Sequence, residues 1–184
     1  QRIGAIHSVV FGGFPGHELA YRVKDARAKL IICTNYGIEP GPKYIDYKKY
    51  VDNAIGILEK EGGYHKVRCL VYQRPSRGNF IPTPLISDRD LDWDDEVKNA
   101  TPVEECVPVD ANDPAYLLYT SGTTGSPKGV IRPTGGHMVA VKYSMQKVFD
   151  YSQDDVMFSA SDIGWVVGHS FIIYGPLCNG MTTV

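Results

Sequence analysis

The strongest constraint on this chain is the alternation of short apolar runs with segments of helical spacing. Leu30-Ile31-Ile32-Cys33, Val67 to Tyr72, Ala115 to Tyr119 and Val156 to Ser159 are short and largely apolar, which suits buried strands. Ile6 to Gly12 and Met181 to Val184 read the same way. Between them apolar residues recur at helical intervals: Leu19, Val23, Ala26 and Leu30, then Val51, Ala54, Ile55 and Leu58, then Met138, Val141, Met145, Val148 and Phe149. Gly62-Gly63 stops the second helix. The breakers in Gly37 to Pro42 and in Arg74 to Pro84 predict loops. Strand and helix in turn predict an α/β fold, a mainly parallel sheet with flanking helices.

Composition decides what the chain does not do as a whole. Its 184 residues carry 19 Lys plus Arg against 21 Asp plus Glu, a net charge of -2. That balance argues against binding nucleic acid or an anionic membrane over the whole surface. No apolar run approaches the roughly 18 residues of a membrane span. Cys33, Cys69, Cys106 and Cys178 are far apart with no Cys-x-x-Cys pair, which predicts reduced thiols in an intracellular protein rather than a metal site. The acidic run Asp88 to Glu96 lacks the glycine and the spaced glutamate of a calcium loop. It reads as a solvated short helix with Leu91 and Trp93 turned inward. The chain opens at Gln1 with no basic-then-apolar leader and stops at Thr182-Thr183-Val184, in what reads as mid-strand, so both ends are expected to be cuts.

The chemistry concentrates in Tyr119-Thr120-Ser121-Gly122-Thr123-Thr124-Gly125-Ser126-Pro127-Lys128-Gly129. Glycines let backbone N–H groups crowd an anion with no Cβ in the way. The hydroxyls of Thr120, Ser121, Thr123 and Thr124 can donate to phosphate oxygens, and Lys128 supplies a flexible point charge. The Walker arrangement is absent, since Lys128 lies between Pro127 and Gly129. The expected setting is a strand before the loop and a helix after it, which would add a helix N-terminus to the anion site.

This segment closely resembles the phosphate-binding signature of the AMP-forming acyl-CoA synthetases, the adenylate-forming ligases. The resemblance extends along the chain, through RIGAIHSVVFGGF at Arg2 to Phe14, IRPTGGH at Ile131 to His137 and SDIGWVVGHSFIIYGPL at Ser161 to Leu177. GIEPG at Gly37 to Gly41, RDLDW at Arg89 to Trp93 and WVVGHS at Trp165 to Ser170 resemble the propionyl-CoA synthetase branch more than the acetyl branch, which usually has Thr at the place of Val167.

The resemblance implies two steps. A carboxylate attacks the α-phosphate of Mg-ATP to give an acyl-adenylate and pyrophosphate, and coenzyme A then displaces AMP. It implies that Thr120, Ser121, Gly122, Thr123, Thr124, Gly125 and Lys128 hold the ATP phosphates. Trp165, Val166, Val167 and Gly168 would border the acyl pocket, and His169 would polarise or orient the carboxylate. The alternative for Trp165 is core packing, and for His169 a hydrogen-bonded residue at a helix start. Phe11, Gly12 and Gly13 resemble a coenzyme A contact. Acetyl-type relatives place arginines near Glu39 and Pro42 to meet the coenzyme A phosphate, and Lys43 is a partial substitute here. No residue is assigned to a metal. Mg²⁺ enters only as the companion of ATP.

The expected partner is a small-molecule carboxylate, with no nucleic acid and no membrane span. The oligomeric state is left open, and the bacterial cytoplasm and the mitochondrial matrix both fit. An acetyl-CoA synthetase, another adenylate-forming ligase for aryl or medium-chain acids, and a non-catalytic nucleotide-binding module are the competing readings. The resemblance also places the ribose, adenine and Mg²⁺ contacts and the small C-terminal lid with its lysine outside this sequence. Residues 1–184 are therefore expected to be part of a large N-terminal domain, and inactive alone. Incubated by themselves with ATP, a short acid and labelled pyrophosphate, they should give no exchange; measurable exchange would refute this.

Overall fold

The structure, a computed structural model, describes residues 1–39, 41, 43–62, 66–75, 82–121, 125–152 and 154–184. In chain order the elements are β1 (His7–Ser8), α1 (Gly16–Asp25), β2 (Leu30–Thr34), β3 (Tyr36–Glu39), β4 (Lys43–Asp46), α2 (Tyr47–Glu61), β5 (Arg68–Tyr72), β6 (Asp90–Asp92), α3 (Trp93–Asn99), β7 (Pro114–Thr120), β8 (Lys128–Pro133), α4 (Thr134–Lys147), β9 (Val156–Met157), α5 (Val166–Gly168), a π-helix (His169–Tyr174), α6 (Gly175–Cys178) and β10 (Thr182–Thr183). They form two compact units, one from Gly12–Pro102 and one from Gln1–Phe11 with Val103–Val184.

In the Gly12–Pro102 unit, β2, β5 and β6 pair in parallel in the order β2-β5-β6. Ile31 lies opposite Cys69 and Cys33 opposite Val71. Ile31, Cys69 and Val71 meet Ala20 and Val23 of α1 and Val51, Ala54, Ile55 and Leu58 of α2 in one buried cluster. The face expected of α2 is therefore the face it buries. The helix starts where Asp46 Oδ1 accepts from the Lys49 N–H at 2.9 Å. It ends at Gly62, whose φ of +70° suits a residue without Cβ. Gly63, the other half of that stop, lies outside the described residues, as do Pro40, Pro42 and residues 76–81 of the expected loops.

Two expectations differ from what is found. Leu30 is not the last turn of α1. It opens β2, because Arg27 takes a positive φ of 50° and breaks the helix first. Gly37 to Pro42 is not simply a loop, since Tyr36–Glu39 and Lys43–Asp46 form an antiparallel hairpin. The acidic run is split between β6 and α3, with Leu91 and Trp93 half-buried and Asp92 capping the helix as its Oδ1 accepts from the Asp94 N–H at 2.9 Å.

A four-charge network ties α2 to β6. Lys48, fully buried, reaches Asp52 at 2.6 Å and Asp90 at 2.8 Å, while Arg89 meets Asp52 and, at 2.6 Å, Asp90. Burial disfavours the Asp90 carboxylate, but hydrogen bonds from Arg89, Lys48 and the Ile86 N–H outweigh it and hold the group at about 2. The two cations and two anions balance, so removing one leaves an uncompensated buried charge.

In the other unit β1 pairs in parallel with β7, and β7 pairs antiparallel with β8. β9 and β10 form a separate parallel pair. α4 begins where the Gly135 N–H donates to the Ala111 carbonyl at 2.8 Å, and a Cβ at Gly135 would come within 2.7 Å of Ala111 Cβ. It buries His137, Val141 and Met145, while Val148 and Phe149, expected on the same side, are exposed past its end. β9 is shorter than expected, since Phe158 and Ser159 lie beyond its last residue, Met157. The fold is thus mixed α/β, with its described strands in several small sheets.

Replacing Lys48 with Met should destabilise the chain by about 3–5 kcal/mol, read from the urea midpoint, because Asp90 keeps its burial and loses a cation. A loss below about 1 kcal/mol would show that the network is not what joins α2 to β6.

Candidate functional site

The glycine-rich segment connects two strands. Thr120 closes β7 and Lys128 opens β8, and the two are register partners across the hairpin. This corrects the expected strand–loop–helix setting, since α4 starts only at Thr134. Val130 and Ile131, β-branched and next to Gly129, prolong the hairpin through the six residues of β8. Among the described residues no helix N-terminus directly follows the loop. Thr120, Ser121 and Lys128 are exposed at the tip. Gly125 has φ +86° with open space around it, so it is the backbone conformation that asks for glycine there. Gly122, Thr123 and Thr124 lie outside the described residues. At the base, Gly129 gives room to the Tyr119 ring, whose Cζ would lie 3.2 Å from a Cβ.

Below the tip, the hairpin carries a buried ring cluster. Tyr116 of β7 is fully buried and opposes His7 on β1 and Arg132 on β8. Its ring stacks on Tyr174 at 5.5 Å and an interplanar angle of 2°, and lies 4.6 Å from the ring of His169. Its hydroxyl shares a hydrogen bond of 2.8 Å with His137 Nε2. Burial pushes the Tyr116 phenol up, and burial together with Tyr116 pushes Tyr174 up to about 12. Burial lowers all three histidines: His137 with help from Arg132 and His169, His7 with help from His169, and His169 against the opposing pull of the Ile163 carbonyl.

His169 is fully buried, and both of its ring nitrogens are engaged. Nδ1 meets the Ile163 carbonyl, and Nε2 lies 3.3 Å from His7 Nε2. A carbonyl only accepts, so Nδ1 carries the proton and the neutral ring presents Nε2 as acceptor to the His7 N–H. The same turn is closed by the Trp165 N–H to the Asp162 carbonyl at 3.0 Å and the His169 N–H to the Trp165 carbonyl at 3.0 Å. Gly168 is obligatory here, because a Cβ would run into the Asp162 carbonyl.

Outside this turn stand Trp165, Val166 and Val167, exposed by 49%, 41% and 48%. Within this unit they present an exposed apolar wall and not an enclosed pocket. Phe11 joins the wall, its ring 6.2 Å from that of Trp165. Phe11 closes a segment of one unit and Gly12 opens the other. Gly12 has a packing role of its own. A Cβ there would lie 2.6 Å from the Tyr47 hydroxyl, and a Cβ at Gly37 would lie 2.5 Å from the same ring. Gly13 continues the turn that leads to α1. Lys43 sits opposite Glu39, with its Nζ 3.6 Å from the carboxylate, so that ammonium is already in an ion pair. Among the described residues no group of three or more His, Cys, Asp or Glu could hold a metal ion. Nor is any described helix long and apolar enough to cross a membrane.

Sequence reasoning singled out Lys128 and His169 but missed His7, Tyr116, His137 and Tyr174. The available signal was polar rings inside otherwise apolar elements, such as His7 within Ile6 to Val10.

Comparison with known proteins gives a family match, described as AMP-binding enzyme, over residues 1–184. The chain is 48% identical over 184 residues to the mitochondrial acyl-CoA synthetase short-chain family member 3 of Homo sapiens, covering 100% of this chain and 25% of that protein. It is 46% identical over 183 residues to an uncharacterized protein of Pseudomonas aeruginosa, covering 100% and 28%. It is 44% identical over 183 residues to acetyl-coenzyme A synthetase 1 of Kluyveromyces lactis, covering 100% and 25%. The chain thus spans about a quarter of the length of these relatives.

The lowered histidines set a pH dependence. An unfolded histidine binds its proton near 6.5, and the folded ones bind theirs at lower pH. Their contribution to stability is whole above 6.5 and is lost as pH falls through the folded values. The thermal midpoint of the chain should therefore drop between about pH 7 and about pH 5, by about 2–4 °C per kcal/mol lost, and less steeply in His137→Gln. Equal slopes would remove His137 from the account.

Proposed function

The chain belongs to the AMP-binding enzyme family, and on that premise we propose that it is part of the large N-terminal domain of an AMP-forming short-chain acyl-CoA synthetase. In that setting its strands contribute to a mainly parallel sheet flanked by helices. The observation that supports this reading best is identity of 44–48% along the chain to relatives named as short-chain acyl-CoA and acetyl-coenzyme A synthetases, with Thr120 and Lys128 paired across the hairpin that bounds the glycine-rich segment.

The substrates are ATP, coenzyme A and a short carboxylic acid. A carboxylate oxygen attacks the α-phosphorus, and the bond to pyrophosphate breaks. The coenzyme A thiolate then forms the thioester, and AMP leaves with the bond's electron pair. The hairpin tip serves the first step. Thr120, Ser121, Gly122, Thr123, Thr124 and Gly125 supply donors to the β- and γ-phosphate oxygens, and Lys128 offsets the charge that builds on the leaving group. Mg²⁺ accompanies ATP; the described residues offer it no cluster of their own, and no step is routed through it. Phe11, Gly12 and Gly13 border coenzyme A.

Trp165, Val166, Val167 and Gly168 form one wall of the acid site. His169, buried beneath that wall, orients the acid through the turn it holds. Val167 favours propionate. One more buried methylene is worth about 0.8 kcal/mol, or about fourfold in affinity, so the preference over acetate is modest. Acetate is the second reading, favoured by the relative from Kluyveromyces lactis. The mitochondrial and bacterial relatives support a place of action in the mitochondrial matrix or the bacterial cytoplasm.

Pyrophosphate exchange by the full-length protein, with acetate, propionate and butyrate, tests the reading. Propionate should give the highest kcat/KM, a few-fold over acetate. An acetate optimum would remove the propionate assignment and leave the reaction class. Lys128→Ala should cut the adenylation rate by about 100-fold or more with an unchanged melting point, since an exposed residue adds little to folding. An unchanged rate would remove Lys128 from the phosphate site.

A further inference from the structure

We propose that His7 is a positioning residue for the acid site, holding the Trp165–Val167 wall through His169. The inference deepens the reading of that wall as part of an acyl pocket and rests on it. His7 belongs to β1, which is fixed in register against β7, with His7 opposite Tyr116 and Ser8 opposite Leu117. Its imidazole stacks on Tyr116 at 5.7 Å and on His169 at 5.5 Å. Its Nε2 lies 3.3 Å from His169 Nε2.

The proton count decides the roles. The Ile163 carbonyl takes the Nδ1 proton of His169. A neutral His169 then has only a lone pair at Nε2, and the hydrogen bond forms only if His7 carries its proton on Nε2. Each ring fixes the tautomer of the other. Without the His7 donor, the buried Nε2 of His169 loses its partner, and the ring is driven to turn toward another donor or to take up the other tautomer. Either movement releases Ile163. Ile163 lies between Asp162, whose carbonyl receives the Trp165 N–H, and Gly164, whose N–H donates to Asp162 Oδ1 at 2.6 Å. The released segment is therefore the one that carries Trp165. A Cβ at Gly164 would lie 3.2 Å from the Phe11 N, so this turn also rests on the chain that leaves β1. The influence of His7 on the acid runs through His169.

Two measurements test this on the full-length protein. In ¹⁵N-histidine spectra of the unmodified protein at about pH 7.5, above the ordinary histidine range, His169 should be neutral, protonated on Nδ1 and bare on Nε2, and His7 should be protonated on Nε2. A His169 proton on Nε2 would overturn the proposal without any substitution. In kinetics, His7→Leu should raise the KM for the acid by about tenfold while kcat and the KM for ATP move less than about threefold. His7→Gln, which keeps an N–H at the end of the side chain, should recover most of that loss. A fall in kcat at constant acid KM, or no recovery in His7→Gln, would overturn it. Absence of acid-dependent exchange in the unmodified protein would instead refute the functional reading. Normal exchange with His7→Leu indistinguishable from it would refute this inference alone.

Discussion

The unit that carries the hairpin depends on the burial of one phenol. Tyr116 sits at the centre of β7, with β1 on one side and β8 on the other. Its faces and edges meet Tyr174, His169 and His7, and its hydroxyl meets His137 of α4. One side chain therefore joins the strands to the helix that follows the hairpin and to the π-helix that follows the Trp165 turn. The ring supplies apolar area, and the hydroxyl is satisfied without water, the condition under which a buried tyrosine stabilises. Thr120 and Lys128, exposed at the two ends of the glycine-rich segment, are held in register by the hairpin built on that base.

The other unit rests on a different device. Its sheet is covered by α1 and α2 through ordinary aliphatic packing. β6, only three residues long, pairs with β5 and is tied to α2 by charge. Ion pairs of this kind demand particular geometry more than they add net stability. Lys48 and Arg89 set where β6 lies relative to α2, and hydrophobic contacts do the rest.

Periodicity revealed most of this and failed in identifiable places. Val51, Ala54, Ile55 and Leu58 were legible because a helix with one buried face repeats its apolar residues at fixed intervals. β2 and β5 were legible because their runs are short and largely apolar. The strand after the glycine-rich segment was not. Glycine-rich loops commonly precede helices, and the pattern Lys128 to Pro133 is broken near its ends by Gly129 and Pro133. The hairpin at Tyr36–Asp46 was hidden by its own turn residues. Lys128 and the residues around it were singled out because the chemistry they suggest is local in sequence. The ring cluster was hidden because it joins His7 to residues more than a hundred positions away, a proximity that no local pattern encodes. Trp165 to Gly168 were assigned to a pocket through resemblance, and within this unit the structure shows an exposed apolar wall.

Gly12 and Gly37 show how one aromatic ring can dictate sequence at two distant points. The Tyr47 ring, at the first turn of α2, occupies the volume where side chains at both positions would stand. Methyl groups at the two sites would compete for the same phenol, so adding the second after the first has displaced the ring should do little further harm. A glycine that looks made for a ligand is here a slot for a neighbour's side chain, and a variant at Gly12 reports first on that slot.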